Sequence, residues 1–238
     1  MRIRGERECR NCGARWTYYE TGSIECPDCG SLRSVGVDER TRHTASHVTL
    51  DLTSVRKQID DEPVASVADQ AGDCASDFVR RYGFIDAGEL QPLEETFVAA
   101  MELKHVGRAI ARSMDVTDDE QRYLLALLDG AESGRRPDPS SVPETLVSVH
   151  GLAAAAAVED YRRDLRQYLE DDPDEDARTV LGSVEDHRTR VAALDGDISP
   201  EQAEALIEAA RAVGTHLIEN DPDALARARE KLAVLRPD

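Results

Sequence analysis

The chain has 238 residues with 48 acidic and 29 basic side chains, a formal net charge of −19. That length allows one large or two small domains around a real apolar core. No apolar run approaches the ~20 residues needed to cross a bilayer, so a helical membrane protein is excluded from the reading. The first residues, Met1-Arg2-Ile3-Arg4-Gly5-Glu6, lack the apolar middle segment of a secretory signal, and a cytoplasmic location is expected. Lysine is scarce (Lys57, Lys104 and Lys231 alone) and arginine supplies the remaining basic residues. Dense carboxylates with little lysine suit a cytosol at high salt, where repulsion between them is screened within a few ångströms. A halophilic source is therefore expected.

The first chemical signal is a pair of motifs, Cys9-Arg10-Asn11-Cys12 and Cys26-Pro27-Asp28-Cys29, separated by 13 residues and each followed by glycine (Gly13, Gly30). Four thiolates at ~2.3 Å from one Zn²⁺ make a closed tetrahedron with no open coordination position, which is structural and not catalytic. The same thiolate set accommodates iron in a rubredoxin-like site, which would make the chain a redox metalloprotein beside a helical domain. Paired C-x-x-C cysteines also fit a reducing compartment better than disulfides do. The fifth cysteine, Cys74, lies near Ala71, Ala75 and Phe78 at helical spacing and reads as a small buried apolar residue.

Between the pairs, residues 14–20 are rich in β-formers, Thr21-Gly22-Ser23 suits a turn, and Ile24-Glu25 returns toward the second pair. A short hairpin joining two metal knuckles is expected. Residues 32–37 add a third strand, and His47-Val48-Thr49-Leu50-Asp51-Leu52 alternates like another half-buried strand. Trp16 and one neighbouring tyrosine are expected to form the hairpin's own small core. A sheet this small cannot bury enough surface alone, so metal binding and folding should be coupled. Residues 1–58 hold ten basic and eight acidic side chains, net +2, which leaves −21 for the rest. That break places a domain boundary near residue 55: residues 1–55 a zinc ribbon with a short β extension, residues 56–238 an all-α helical domain.

From Pro63 onward the period is helical. Leu93, Phe97, Ala100, Leu103, Val106, Ile110 and Met114 form one apolar stripe. Thr117-Asp118-Asp119-Glu120 is a capping box that opens a helix through Leu128, stopped near Gly130. Residues 130–143, with Gly134, Pro137 and Pro139, read as an exposed loop. A long helix carrying Leu146, Val149, Ala153, Val158, Tyr161, Leu165 and Tyr168 inward follows, then another over residues 174–194. Ser199-Pro200-Glu201-Gln202 and Asp221-Pro222 start two more. The fold class is a small β ribbon followed by an all-α bundle of about seven helices. Gly107, Gly151, Gly182 and Gly214 fall inside predicted helices, where each costs ~1 kcal/mol and implies close helix contacts.

Other sites are weighed on the same terms. A di-iron bundle needs two Glu-x-x-His motifs, and Glu102-Leu103-Lys104-His105 is the one match, read as chance on a solvated helix face. His43 and His47 lie in a stretch that favours loop or strand, so no second metal site is expected. Glu144, Glu159 and Asp160 read as solvated acids. No glycine-rich phosphate cradle, G-x-S-x-G elbow or H-E-x-x-H pair is present, and no enzymatic role is expected. Arg2, Arg4, Arg7, Arg10 and Arg15 accompany Trp16, Tyr18 and Tyr19, a composition that can grip nucleic acid. Counterion release contributes little at molar salt, so a protein partner is favoured over nucleic acid.

Residues 1–35, with Cys-x-x-Cys-Gly, an aromatic segment, Thr-Gly-Ser-Ile-Glu and Cys-Pro-Asp-Cys-Gly-Ser, resemble the TFIIB-type zinc ribbon of archaeal transcription proteins and short haloarchaeal ribbon proteins of no known activity. The resemblance implies zinc on Cys9, Cys12, Cys26 and Cys29. It also implies a ribbon that contacts a protein or nucleoprotein partner such as the transcription machinery. The expected function is an interaction module, with the acidic helical domain serving assembly or regulation.

Overall fold

Strand β2 (Glu6–Cys9) is the centre of the N-terminal part of the computed structural model, which describes residues 1–235. It pairs antiparallel with β3 (Arg15–Thr17) on one side and β4 (Ser34–Gly36) on the other, so that Arg7 faces both Trp16 and Gly36. A separate two-stranded ladder joins β1 (Arg2–Ile3) to β5 (Thr41–Arg42).

The hairpin differs from expectation in three ways. The β-rich run stops at Thr17, whose hydroxyl accepts from the Tyr19 amide and opens a helical turn, α1 (Tyr18–Thr21), closed by Gly22 at φ 62°. Side-chain capping here outcompetes β propensity. Ile24-Glu25 forms no strand, and β2 takes β4 as its second partner instead. Residues 47–52 form no strand either. Their alternation reflects Leu50 and Leu52 inserting into the helical core, which needs burial but no ladder.

Seven long helices follow the short α2 (Thr53–Arg56): α3 (Val64–Arg81), α4 (Glu95–Arg112), α5 (Asp118–Gly130), α6 (Val147–Asp171), α7 (Glu175–Ala193), α8 (Pro200–Glu219) and α9 (Pro222–Ala233). A small hairpin, β6 (Ile85–Asp86) and β7 (Glu89–Leu90), sits between α3 and α4. The capping boxes at Thr117/Glu120 and Ser199/Gln202 both form, and Pro222 opens α9 behind the Asp221 cap. The core runs through every long helix, with Phe97, Leu103, Tyr161, Leu165 and Leu206 at 0% exposure. The apolar core begins with Leu50, Leu52 and Val55, so α2 packs with the helices.

The α4 stripe ends one turn earlier than expected. The helix stops at Arg112, and Met114 is 99% exposed. Residues 130–143 are not a plain exposed loop. They contain short 3-10 turns at Ala131–Ser133 and Pro139–Ser141, Ala131 is fully buried, and the Arg136 side chain reaches inward. Three of the four glycines expected inside helices, Gly107, Gly151, Gly182 and Gly214, meet a neighbour. A Cβ on Gly107 would lie 2.5 Å from the Ala68 carbonyl oxygen, one on Gly151 2.2 Å from that of Gly196, and one on Gly214 1.9 Å from the Tyr161 hydroxyl. Gly182 has nothing within 4 Å, so helix contact does not explain it.

The N-terminal part is fastened to the helices through residues 41–45. Asp164 on α6 is buried, and its Oδ2 accepts from the Thr44 hydroxyl at 2.6 Å and the Phe84 amide at 2.7 Å. The Thr44 and Ala45 amides donate to the Ile85 carbonyl at 2.8 and 2.9 Å. Phe84 is held in turn by edge contacts to Phe97 and Tyr161, both at 4.8 Å between ring centres. Arg42 donates to Asp171 (2.8 Å), Glu170 (3.0 Å) and Gln167 (3.1 Å) in the last turn of α6, and Arg2 also pairs with Asp171.

Candidate metal centre

Two knuckles of the same construction bring the four cysteines together. In the first, Cys9 ends β2, its amide bonds the Ala14 carbonyl, and Gly13 at φ 78° turns its own amide onto the Cys9 carbonyl at 3.0 Å. In the second, the Cys26 amide bonds the Ser31 carbonyl, and Gly30 at φ 68° donates to the Cys26 carbonyl at 2.9 Å. A positive φ at these two positions is why glycine follows each pair. Trp16 packs on Cys9 and Cys26, and its indole N–H donates to the Ser23 carbonyl at 3.1 Å. No tyrosine shares that core. Tyr18 and Tyr19 lie outside the β3 alternation, in α1, and stack on His43 at 6.1 and 5.0 Å.

All four sulfurs lie within 4.8 Å of one another, with Cys9–Cys29 at 3.7 Å and Cys12–Cys26 at 3.6 Å. These separations exceed a disulfide bond of about 2.05 Å. They match the ~3.8 Å edge of a tetrahedron whose centre is ~2.3 Å from each thiolate. Cys9 and Cys26 are buried, whereas Cys12 and Cys29 are exposed. The Asn11 amide donates to the Cys9 sulfur at 3.4 Å, and its side chain approaches the Cys29 sulfur at 3.6 Å. Amide hydrogen bonding around the first knuckle brings the Cys9 thiol down to about 6. Cys12 also has an amide partner at Ala14, yet the crowding sulfurs of Cys29 and Cys26 push it up to about 12. A second negative charge in this cluster is thus costly until a cation compensates it. The donor set fits a tetrahedral metal ion, and among the described residues it is the one cluster of three or more metal-ligating side chains.

The remaining candidates resolve differently. Glu102 is not on a solvated face: it is 2% exposed and makes neither a hydrogen bond nor an ion pair with His105. Its partners are His150 Nδ1 at 2.9 Å, Arg136 at 3.2 Å and the Tyr123 hydroxyl. Burial alone would raise its carboxyl, but these donors hold it below the usual range. Arg136 also makes two 2.6 Å bonds to Glu204, and the site leaves no space for a water-sized molecule. This is a closed ionic network joining α4, α6 and α8, with no room for a di-iron centre. The sequence signal for it was the run Phe97–Leu103, apolar around the whole helix except at Glu102, which marks α4 as central. His43 accepts from the Ala87 amide and His47 contacts the Tyr19 carbonyl, so the two do not form a metal pair. Cys74 is half-buried against the core. Glu144 is exposed as expected, but Glu159 and Asp160 are only partly so and pair with Arg162 and Arg163.

A three-stranded knuckle sheet with a four-cysteine site, fastened to a seven-helix domain, is the class of protein defined here. The chain belongs to a family of unknown function (DUF7117), whose family model matches residues 1–232. No curated protein and no solved structure matches it.

Proposed function

We propose that this protein is a zinc-binding interaction module, with one structural Zn²⁺ on Cys9, Cys12, Cys26 and Cys29. The carrying observation is the closed four-sulfur cluster, which has no place for a substrate among its ligands. The zinc ribbon presents an arginine-lined groove to a protein or nucleoprotein partner, transcription-associated in the reading that its sequence resemblance favours. Support for a partner comes from a groove of about 430 Å³ lined by Arg2, Arg4, Arg7, Arg40, Tyr18 and Ile24. Among the described residues Arg4, Arg7 and Arg40 make no ion pair, in a chain whose net charge is −19. Such a groove suits an acidic surface, and the helical domain serves assembly or regulation.

Elemental analysis of purified protein, paired with capture from cells at native salt, tests this. One zinc per chain and a colourless protein are expected, with a partner that is lost both after chelation and in an Arg4→Glu/Arg7→Glu variant. One iron per chain and a red protein would select the rubredoxin-like redox reading instead. A partner retained equally by the variant would remove the arginine groove from the proposal.

A further inference from the structure

A second concavity, of about 520 Å³, opens where α3, α4 and α6 meet beneath Thr44 and Phe84. Its walls carry four cations from three helices: Arg80, Lys104, Arg108 and Arg163. Two of these are engaged, Arg80 by Asp77 and Arg163 by Asp160. Lys104 and Arg108 are not. Among the described residues neither has a carboxylate within ion-pair distance. Lys104 reaches only the Met101 sulfur at 3.7 Å, and Arg108 only the Ser76 hydroxyl at 3.0 Å.

With 48 carboxylates available, arginines elsewhere in the helical domain gather several: Arg136 has three and Arg162 two. Lys104 and Arg108 stand one turn apart on α4, a like-charged i, i+4 pair that destabilises the helix. Lys104 is one of three lysines in the chain and is half-buried. Burial pushes its ammonium down and the Arg108 charge adds to that, while Asp160 across the cavity opposes both more weakly. His105 between them is driven down to about 4, first by burial and then by the same two cations. Both acids that line the cavity are already engaged, Asp160 with Arg163 and Asp164 by two donors at Oδ2. The comparable groove between α6 and α7, of about 440 Å³, shows no such surplus: Arg162, Arg166 and Arg178 there face three acids, Glu170, Glu185 and Asp186.

Two donors without an ion pair, on a cavity whose lining sets four cations against the carboxylates of Asp160 and Asp164, match an oxyanion: the ammonium as a point charge and the guanidinium as a planar fork. Tyr82 and Phe84 supply an apolar wall beside them. We propose that this pocket binds a phosphate-bearing small molecule, with the phosphoryl oxygens between Lys104 and Arg108 and the remainder against Tyr82. The site is independent of the metal.

Thermal-shift and calorimetric titration of the metal-loaded full chain with inorganic phosphate, pyrophosphate and adenosine monophosphate, at ionic strength held constant with chloride, tests it. Saturable binding of at least one probe is expected, with Lys104→Met and Arg108→Gln each weakening it at least about tenfold. Arg166→Gln in the other groove should leave it unchanged. Preference for adenosine monophosphate identifies an organic phosphate as the ligand, and equal binding of all three a phosphoryl group alone. Without probe, Lys104→Met should melt no lower than wild type, since it removes a like-charge contact. No shift with any probe, or binding retained in both variants, would overturn the proposal.

Discussion

His216 couples folding to pH through two short contacts, with Nε2 2.9 Å from the Asp174 carboxylate and Nδ1 2.8 Å from the Asp221 carbonyl. Burial opposes its charge, yet the Asp221 carbonyl and Asp174 together raise its basicity above the usual value. The imidazolium therefore stabilises the fold fully below the unfolded value of about 6.5, and that contribution is lost as pH rises through the higher folded value. Urea melts of wild type should weaken from pH 6.5 toward pH 8, and His216→Gln should lack that component; an identical slope in both would remove His216 as the cause. The cysteines show the opposite kind of legibility. Their type and spacing named the ligand set directly, because metal geometry leaves few alternatives. The partners of Glu102 were not readable, since Tyr123, Arg136 and His150 come from 21 to 48 residues away in the chain.

Helix α4 shows how one position can depend on its neighbour. Gly107 faces Gly72 and the Ala68 carbonyl on α3 so closely that any side chain would collide with backbone. Gly107→Ala should cost about 1–3 kcal/mol through overpacking. Gly182→Ala on α7 meets nothing and should stabilise by up to ~1 kcal/mol through helix propensity. Chemical denaturation midpoints of the two variants should move in opposite directions. Both glycines look alike in sequence, because propensity reads the chain locally and α3 is a different part of it. Helix starts were legible for the converse reason. The boxes at Thr117 and Ser199 close within three residues of themselves.

At the scale of the molecule, a sheet of three short strands hangs from a large helical core by residues 41–45. Removing the metal should therefore unfold the knuckles only as far as that attachment. With Cys26→Ser or a chelator, hydrogen exchange should lose protection at Cys9, Gly13 and Gly30, while Thr44 and Ala45 stay protected by Ile85. The helical circular dichroism should change little. Loss of protection at Ala45, or collapse of the helices, would show that the two parts fold as one unit. Leu50 and Leu52 already belong to the helical core, because burial of apolar side chains, and not surface charge, decides which body a segment joins.

The sequence by itself determined the four-cysteine ligand set, the ribbon-then-helices order and most helix starts, since each depends on contacts only a few residues apart. Tertiary structure alone decided that Tyr18 turns away from β3, that Glu102 is interred with His150 and Arg136, and that Lys104 and Arg108 share a cavity in which neither makes an ion pair. Those outcomes rest on which distant surfaces meet, and a one-dimensional period carries no record of that.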